Sequence, residues 1–555
     1  MITKLTGNPA HRMPFILFCV TAVNCVFQIG WFWRFRAHNV TMDGVNYIGL
    51  ARHLRDGDFI ASLHGYWSPL LSWLIAGGSF FTRDLTVLAR IITIASFLLC
   101  LPLLYRLTMS LWHSPLAAAV AALWFSLARA VLAGAMATIQ ADFLLTAATL
   151  VYFTILVACL REDRDRNWLL LGIAHAVAFL AKAFAMPWLA ITTVLAIASK
   201  PSQTLRGRMA AFTLAMLAPA VVWFAWGEAL KTKYAVFTTG FQLRANLMVD
   251  LTRKLNHREK GDPYPLVDAA YDKYMVTQPS FASLQAFKIA NPVLLPMIVQ
   301  NELHNVPAAL KEIIVLLTPG GVIALIGGAY LLLRHRRSYP SEAAYTTIAL
   351  ASLASLVCAY GMLVFDGRYV LPITPVLIAI AARFIVPARM DAHPELRPAS
   401  ALPTISLALL VTSMIALALY PASPYRAIDR DFQRSCYDAA SKLSRLHLKG
   451  DRIVSIGDGP YPERGIGFEV GIYVAYHSGR RLIAMNSALP APNQSDELAK
   501  AVLSKNADIV LVWGKPSDPA YREIVAKLAL PAASNEPIDD PVMGEVGRLL
   551  AFPQP

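Results

Sequence analysis

Residues 140–200 read QADFLLTAATLVYFTILVACLREDRDRNWLLLGIAHAVAFLAKAFAMPWLAITTVLAIASK, and this stretch decides the fold class. Three apolar runs, 143–160, 167–182 and 183–199, follow one another, with Arg161, Arg164 and Arg166 after the first, a lone Lys182 at the end of the second and Lys200 after the third. A helix needs about 20 apolar residues to cross the ~30 Å hydrocarbon layer, and cytoplasmic loops collect Lys and Arg. The stretch therefore predicts consecutive membrane helices, with the arginine cluster inside and Lys182 outside. Working outward, further runs lie at 14–33, 86–108, 115–134, 209–228, 312–333, 342–364, 369–387 and 401–420, about eleven crossings in all. With the N-terminus cytoplasmic, an odd number places the chain's end outside. Two more clusters, Lys200 with Arg206 and Arg208, and Arg334 with Arg336 and Arg337, then fall on the inner side, which agrees with the parity.

The composition agrees as well, since 56% of the 555 residues are hydrophobic and 15% are charged, against about 25% charged in soluble domains. The net charge is +14, yet residues 424–555 hold 16 basic and 16 acidic side chains, so the whole excess belongs to the apolar part. That placement suits anionic head groups or polyprenyl phosphates and disfavours a nucleic-acid partner. Pro14 to Trp33 follows Lys4 and Arg12 as a signal peptide would, but it is long and lacks a small-residue cleavage site, so it reads as a retained helix and signal anchor. Pro69 to Phe81 is too short to cross and reads as a re-entrant or interfacial helix. The six cysteines suggest neither disulfides nor a metal motif.

The expected organisation is a transmembrane domain over 1–423, with outer loops at 34–85 and 229–311, and a small extracytoplasmic α/β domain over 424–555. In the tail, strands are expected at Arg452 to Ile456, Gly471 to Tyr476, Arg481 to Met485 and Asp508 to Trp513. Helices are expected near Phe432 to Leu448, Asp496 to Ser504 and Ala520 to Leu528. Gly457 and Gly459 follow the first strand without completing a phosphate-binding Gly-x-Gly-x-x-Gly, and read as a turn.

Three charged residues stand out on the outer side. Asp43 opens a segment in which Tyr47, Leu50, Ala51 and Leu54 share a helical face and Arg52 and Arg55 lie on another, an amphipathic helix on the membrane. Asp43 is either its N-cap or a general base. Asp142 sits at the edge of a span, where a carboxylate belongs to a site or pairs with an arginine. Lys182 either snorkels to the interface or meets a phosphate. His38, His53 and His64 share the first loop, at separations that match no compact ligand set, so a divalent metal has no support in the spacing and solvated or head-group-facing histidines are the simpler reading.

Asp43-Gly44-x-x-Tyr47, Arg52-His53-Leu54, Asp56-Gly57-Asp58-Phe59 and Trp67-Ser68-Pro69-Leu70, followed by Ala141-Asp142-Phe143, Phe179-Leu180-Ala181-Lys182 and Arg368-Tyr369-Val370-Leu371-Pro372, form an ordered set. The set resembles the GT-C membrane glycosyltransferases, in the branch of protein O-mannosyltransferases and the lipid A aminoarabinose transferase. Three positions depart from that branch. Trp67-Ser68 stands where it has Lys-Pro, so a lysine expected near the donor phosphate is missing, and Ala183 replaces a glycine.

The resemblance implies a GT-C fold and a glycosyltransferase in the cytoplasmic membrane. Its outward-facing site would move a sugar, with inversion, from a polyprenyl-phosphate donor to a lipid, glycan or protein acceptor, and no cofactor would be required. Asp43 would be the base and Asp142 its partner. Lys182, Arg368 and Tyr369 would hold the donor phosphate, and Tyr47, Arg52, Arg55 and His64 would contact substrate or head groups. A lipid flippase or transporter, and a non-catalytic lipid-binding scaffold, are the alternatives from other classes.

Overall fold

The computed structural model describes residues 9–33, 40–128, 138–238 without 163 and 201–203, 267–271, 294–386 without 363–366, 405–412, and 424–552 without 447–449, 458–466, 487–488, 490–494 and 541–543. His38 and the turn residue Asp366 lie outside these. Helices α1 (Pro9–Trp33), α2 (Met42–Arg55), α3 (Phe59–Ser62), α4 (Leu70–Gly78), α5 (Leu85–Trp112), α6 (Pro115–Leu127), α7 (Asp142–Arg161), α8 (Asp165–Ala181), α9 (Ala185–Ala198), α10 (Leu205–Tyr234), α11 (Leu294–Arg334), α12 (Pro340–Gly361) and α13 (Thr374–Ile385) build the membrane part. Ten of the eleven expected crossings fall on these helices, and 405–412 is a described helical piece of the eleventh. Among the described residues six helices are long and apolar enough to cross a membrane by themselves, and the chain is a multi-pass membrane protein.

Several boundaries differ from the sequence reading, each for a local reason. The helix expected over 369–387 begins at Thr374, behind a 3₁₀ turn at Gly367–Val370, because Pro372 disfavours helical geometry at the residue before it. Every residue of α13 is buried, as expected of a helix apolar all round, so it forms the axis of the bundle. The outer loop 229–311 is helical in part: α10 runs on to Tyr234 and α11 starts at Leu294. Helix α11 breaks at Thr318, at φ 62° and ψ 161°, immediately before Pro319, whose ring disfavours helical ψ at the residue before it.

The bundle has two chemically distinct ends. At one, Arg161 closes α7 and bonds the Ser110 and Leu111 carbonyls at the end of α5 and Glu342 at the start of α12. At the other, α7 begins with Asp142, α8 ends at Lys182, and the turn of Arg368 precedes α13. The short helix α4, with Leu71 and Ile75 buried, packs beside α2 at this second end without crossing.

The tail contributes α14 (Pro424–Arg445), α15 (Gly467–Ser478), α16 (Ser495–Ser504) and α17 (Pro519–Ala529) to a six-stranded sheet. Its strands are β1 (Val267–Tyr271), β2 (Arg452–Ile456), β3 (Arg481–Asn486), β4 (Ile509–Trp513), β5 (Ser534–Asp540) and β6 (Gly544–Ala551), in the order β1-β3-β2-β4-β6-β5. Strands β3, β2 and β4 are parallel; the others pair antiparallel. The two faces are read directly from alternation. Ile453, Ile509, Leu511 and Trp513 meet α14 and α15, while Val454, Ile456, Val510 and Val512 meet α16 and α17. A strand buried on both faces needs this continuous apolar sequence.

One expected strand is wrong. Gly471 to Tyr476 lies in helix α15, since a short apolar run cannot distinguish a strand from a buried helical turn. An additional strand, β1, comes from the loop 229–311, so that loop packs on the tail by joining its sheet.

The sheet domain is seated on the segment between α1 and α5. Val45, Ile48 and Leu50 of α2 share one apolar cluster with Cys436, Val470 and Tyr473 of α14 and α15. The Tyr476 hydroxyl bonds Thr86 Oγ1 at 2.7 Å, and the Arg52 guanidinium lies 5.3 Å from its ring. Elsewhere close helix contact depends on absent side chains. A Cβ on Gly172 of α8 would stand 2.5 Å from the Ala215 carbonyl of α10. Gly172→Val is expected to lower stability by about 1–3 kcal/mol through overpacking, measured as a lower thermal midpoint in detergent. An unchanged midpoint would show that α8 and α10 separate freely.

Candidate active site

The first surprise is the cap of α2. Thr41, rather than Asp43, is the N-cap, and its hydroxyl accepts from the Gly44 amide at 3.1 Å. Its hydroxyl also donates to the Ile139 carbonyl at 3.0 Å, which ties the start of α2 to the segment before α7. Gly44 is held in the same contact, because a Cβ there would approach Ile139 to 2.9 Å. Asp43 is thereby released from capping and its carboxylate turns to other partners.

Those partners come from distant parts of the chain. Asp43 Oδ2 pairs with Arg368 Nη1 at 2.8 Å, and Oδ1 accepts from Trp67 Nε1 at 3.2 Å. Lys182 Nζ lies 2.6 Å from Asp142 Oδ1. Between the two cations stands Tyr369, whose ring centre is 5.4 Å from Lys182 Nζ and 5.5 Å from the Arg368 guanidinium carbon. Tyr369 stacks on Tyr360 of α12, with centroids 4.1 Å apart and planes 12° apart, and Tyr360 meets Phe184 at 4.6 Å. Two carboxylates, two cations and an aromatic wall thus meet at one end of the bundle.

Exposure separates the two pairs. The side chains of Asp43 and Arg368 are 29% and 24% exposed, whereas those of Asp142 and Lys182 are 3% and 12% exposed. A hydroxyl from solution can therefore reach Asp43 and not Asp142. Asp142 Oδ2 has no hydrogen-bond partner among the described residues, a costly state for a buried carboxylate oxygen that a bound molecule could relieve.

The electrostatics follow from these contacts. Burial alone would raise the Asp43 pKa, but the charges of Arg368 and Lys182 and the hydrogen bonds from Trp67 and Arg368 outweigh it and hold the carboxyl below its ordinary value. Tyr47 is buried, and desolvation together with the negative charges of Asp43 and Asp142 pushes its phenol well above the ordinary range. His64 is pushed down to about 3 by burial and by Lys233, so the imidazole is neutral. Its Nδ1 accepts from the Tyr66 amide and its ring packs 4.7 Å from Trp67, which places it behind the indole that holds Asp43.

Among the expected contacts, Tyr47 and Tyr369 join the cluster. Arg52 turns toward the tail domain, and Arg55 pairs with its neighbour Asp56 at 2.8 Å. Among the described residues no three His, Cys, Asp or Glu side chains gather as a metal site. The sequence reading missed the function of two neighbours. Trp67 holds Asp43, and the Ser68 hydroxyl accepts from the Ala183 amide at 2.8 Å, fixing the turn behind Lys182. The only signal for either was that Trp67-Ser68 and Ala183 depart from the family pattern.

Residues 67–226 match the family described as dolichyl-phosphate-mannose-protein mannosyltransferase, a segment that holds Trp67, Asp142 and Lys182. Nearly the whole chain matches two crystal structures of ArnT from Cupriavidus metallidurans. The structure bound to undecaprenyl phosphate gives a TM-score of 0.54 at 14% identity, over 97% of this chain and 99% of that one. The apo structure gives 0.53 at 13% identity, with the same coverage. The fold is that of the GT-C membrane glycosyltransferases. No curated protein matches the sequence significantly. Asp43 and Arg368 lie outside the matched segment, and the GT-C fold brings them to it.

The Asp43–Arg368 pair has a measurable signature. A carboxyl whose folded pKa is depressed stabilises the protein above its unfolded value, here near 3.8, and that stability is lost as pH falls through the lower folded value. Arg368→Gln is expected to lose about 1–2 kcal/mol at pH 7, between the values for exposed and buried pairs. The difference from the unsubstituted protein should shrink below about pH 4 as both carboxyls protonate. Thermal midpoints from pH 7 to 3 test this, and a pH-independent difference would show that the guanidinium acts by packing alone.

Proposed function

We propose that this chain is an inverting glycosyltransferase that moves a sugar from a polyprenyl-phosphate donor to a lipid, glycan or protein acceptor on the outer face of the cytoplasmic membrane. The observation that carries the reading is the meeting of two carboxylate–cation pairs across Tyr369 in a fold shared with a protein that binds undecaprenyl phosphate. In this reading the isoprenoid stays in lipid beside the apolar helices. Lys182 and Arg368 meet the phosphate, where charge-assisted hydrogen bonds are strongest. The acceptor oxygen attacks the anomeric carbon from the face opposite the phosphate, and its proton passes to Asp43. The bond from that carbon to the phosphate oxygen breaks, and the phosphate leaves with the electron pair against the two cations. A single displacement of this kind inverts the anomeric centre.

Asp142 supports the reading from a different position. Being buried and paired, it fixes Lys182 instead of exchanging protons. The orientation in this reading, with the Arg161 end inside and the charged site and tail domain outside, is supported by the basic clusters through the preference of cytoplasmic loops for Lys and Arg. The test is transfer of labelled sugar from a polyprenyl-phosphate donor by the purified full-length protein. Asp43→Asn should lower turnover by about 10² to 10⁴, the usual worth of a general base, while lipid-phosphate binding survives. Undiminished turnover in a folded Asp43→Asn protein would remove Asp43 as the base. Binding without transfer in the unsubstituted protein would favour a lipid-binding scaffold.

A further inference from the structure

The resting arrangement is poorly suited to a base. Asp43 has one oxygen on a guanidinium and the other on an indole N–H, and a carboxylate held in this way is a weaker proton acceptor than a free one. General bases work best when their pKa approaches the working pH, so pairing with Arg368 moves Asp43 away from its task. The cations have the converse difficulty. Both groups available to a phosphate, Arg368 and Lys182, already touch carboxylates at 2.8 and 2.6 Å. The four charges sum to zero, and adding an anion without rearrangement would gain little.

Resting on the lipid-phosphate reading above, we infer that the phosphate exchanges with Asp43 for Arg368, so that donor binding draws the guanidinium away and frees the base only when a donor is present, while Lys182 keeps its buried partner Asp142 and offers the phosphate its remaining N–H groups. The aromatic wall makes such an exchange economical in structure. Tyr369 lies about equally far from both cations and is fixed by stacking on Tyr360, so Arg368 keeps its cation–π contact while its anionic partner changes. Trp67 keeps Oδ1 in place while Oδ2 is released. The charged and titratable groups around Asp43 are Arg368, Lys182, Tyr47 and, acting through Tyr47, Asp142. Glu312 of α11 packs on Gly367, the residue before Arg368. The device suits a transferase whose donor is activated, because an unpaired base beside an empty site would serve no acceptor.

Competition for a cation has a signature that does not depend on turnover. Removing the competing carboxylate should tighten phosphate binding, whereas removing a carboxylate that helps to build the site should weaken it. The experiment measures binding of undecaprenyl phosphate to the full-length protein in detergent. The proteins compared are the unsubstituted chain, Asp43→Asn, Arg368→Ala and the double variant. Asp43→Asn should bind about tenfold tighter, within the usual range of coupled equilibria, and in the Arg368→Ala background the same substitution should change affinity by less than about twofold. Unchanged or weaker binding in Asp43→Asn overturns the exchange. Full tightening that persists without Arg368 also overturns it, since that is only the loss of a nearby negative charge. Asp43→Ser, with a smaller side chain, is carried through the same cycle, so a poorly folded Asp43→Asn protein does not shield the inference. If no protein binds the probe, the lipid-phosphate reading falls, and the exchange with it.

Discussion

A carboxylate at the end of a membrane span has to find a cation, and much of this structure is arranged around that requirement. Asp142 begins α7, and Lys182 lies just past the end of α8. The helices between them form an antiparallel hairpin whose far end is fastened by Arg161. An unpaired charge here would cost several kcal/mol, so the hairpin is fixed in register by its ends as well as by its apolar faces. The Asp43–Arg368 pair does the same over a longer distance, joining the first outer loop to the turn before the bundle's central helix. Two ion pairs thus bring four separate parts of the chain to one place.

The tail domain belongs to the same arrangement. Helix α2 carries Asp43 at its first turn and Arg52 at its last, and its buried face is shared between the membrane helices and the sheet domain. The domain therefore forms part of the wall against which α2 is held. The Tyr476–Thr86 hydrogen bond fixes α15 to the start of α5, next to that wall. Strand β1, supplied by the loop before α11, joins the sheet to the membrane part a second time. The position of Asp43 depends on both parts of the chain.

What the sequence revealed about this site depended on how expensive each residue was. Asp142 and Lys182 were legible because a charge among apolar residues is costly and has to be explained, whereas Arg368 was legible only through the resemblance of the motif that carries it. Asp43 was legible as a polar helix start, but its cap was not: Thr41 and Asp43 are both good caps, and only the contact of Thr41 with Ile139 decides between them. Trp67 and Ser68 are cheap residues anywhere, and their partners lie 24 and 115 positions away, beyond any local pattern. The parallel strands Arg452–Ile456 and Ile509–Trp513 were legible for the converse reason, since an unbroken β-branched run between turns has few other solutions. Gly471–Tyr476 was not, because the same apolar run serves a helix buried on a sheet.

Taken together, the three departures from the family pattern describe one local change. On the proposed reading, a lysine at position 67 would give the site an excess of one positive charge; with Trp67 the charges of Asp43, Asp142, Lys182 and Arg368 cancel. The indole keeps a single N–H donor, which it gives to the carboxylate and not to the phosphate. Ser68, where the branch has proline, supplies the hydroxyl that accepts from the Ala183 amide, an anchor that proline could not provide. The turn behind Lys182 is then fixed by a side-chain hydrogen bond, while Ala183 occupies the place of the family's glycine. On that reading a site of this kind would attract a phosphate less by net charge than by exchange of partners, and a leaving phosphate would meet a carboxylate, Asp43, ready to reclaim Arg368. Such a charge balance would favour release of the product over its retention, whatever the sugar and acceptor.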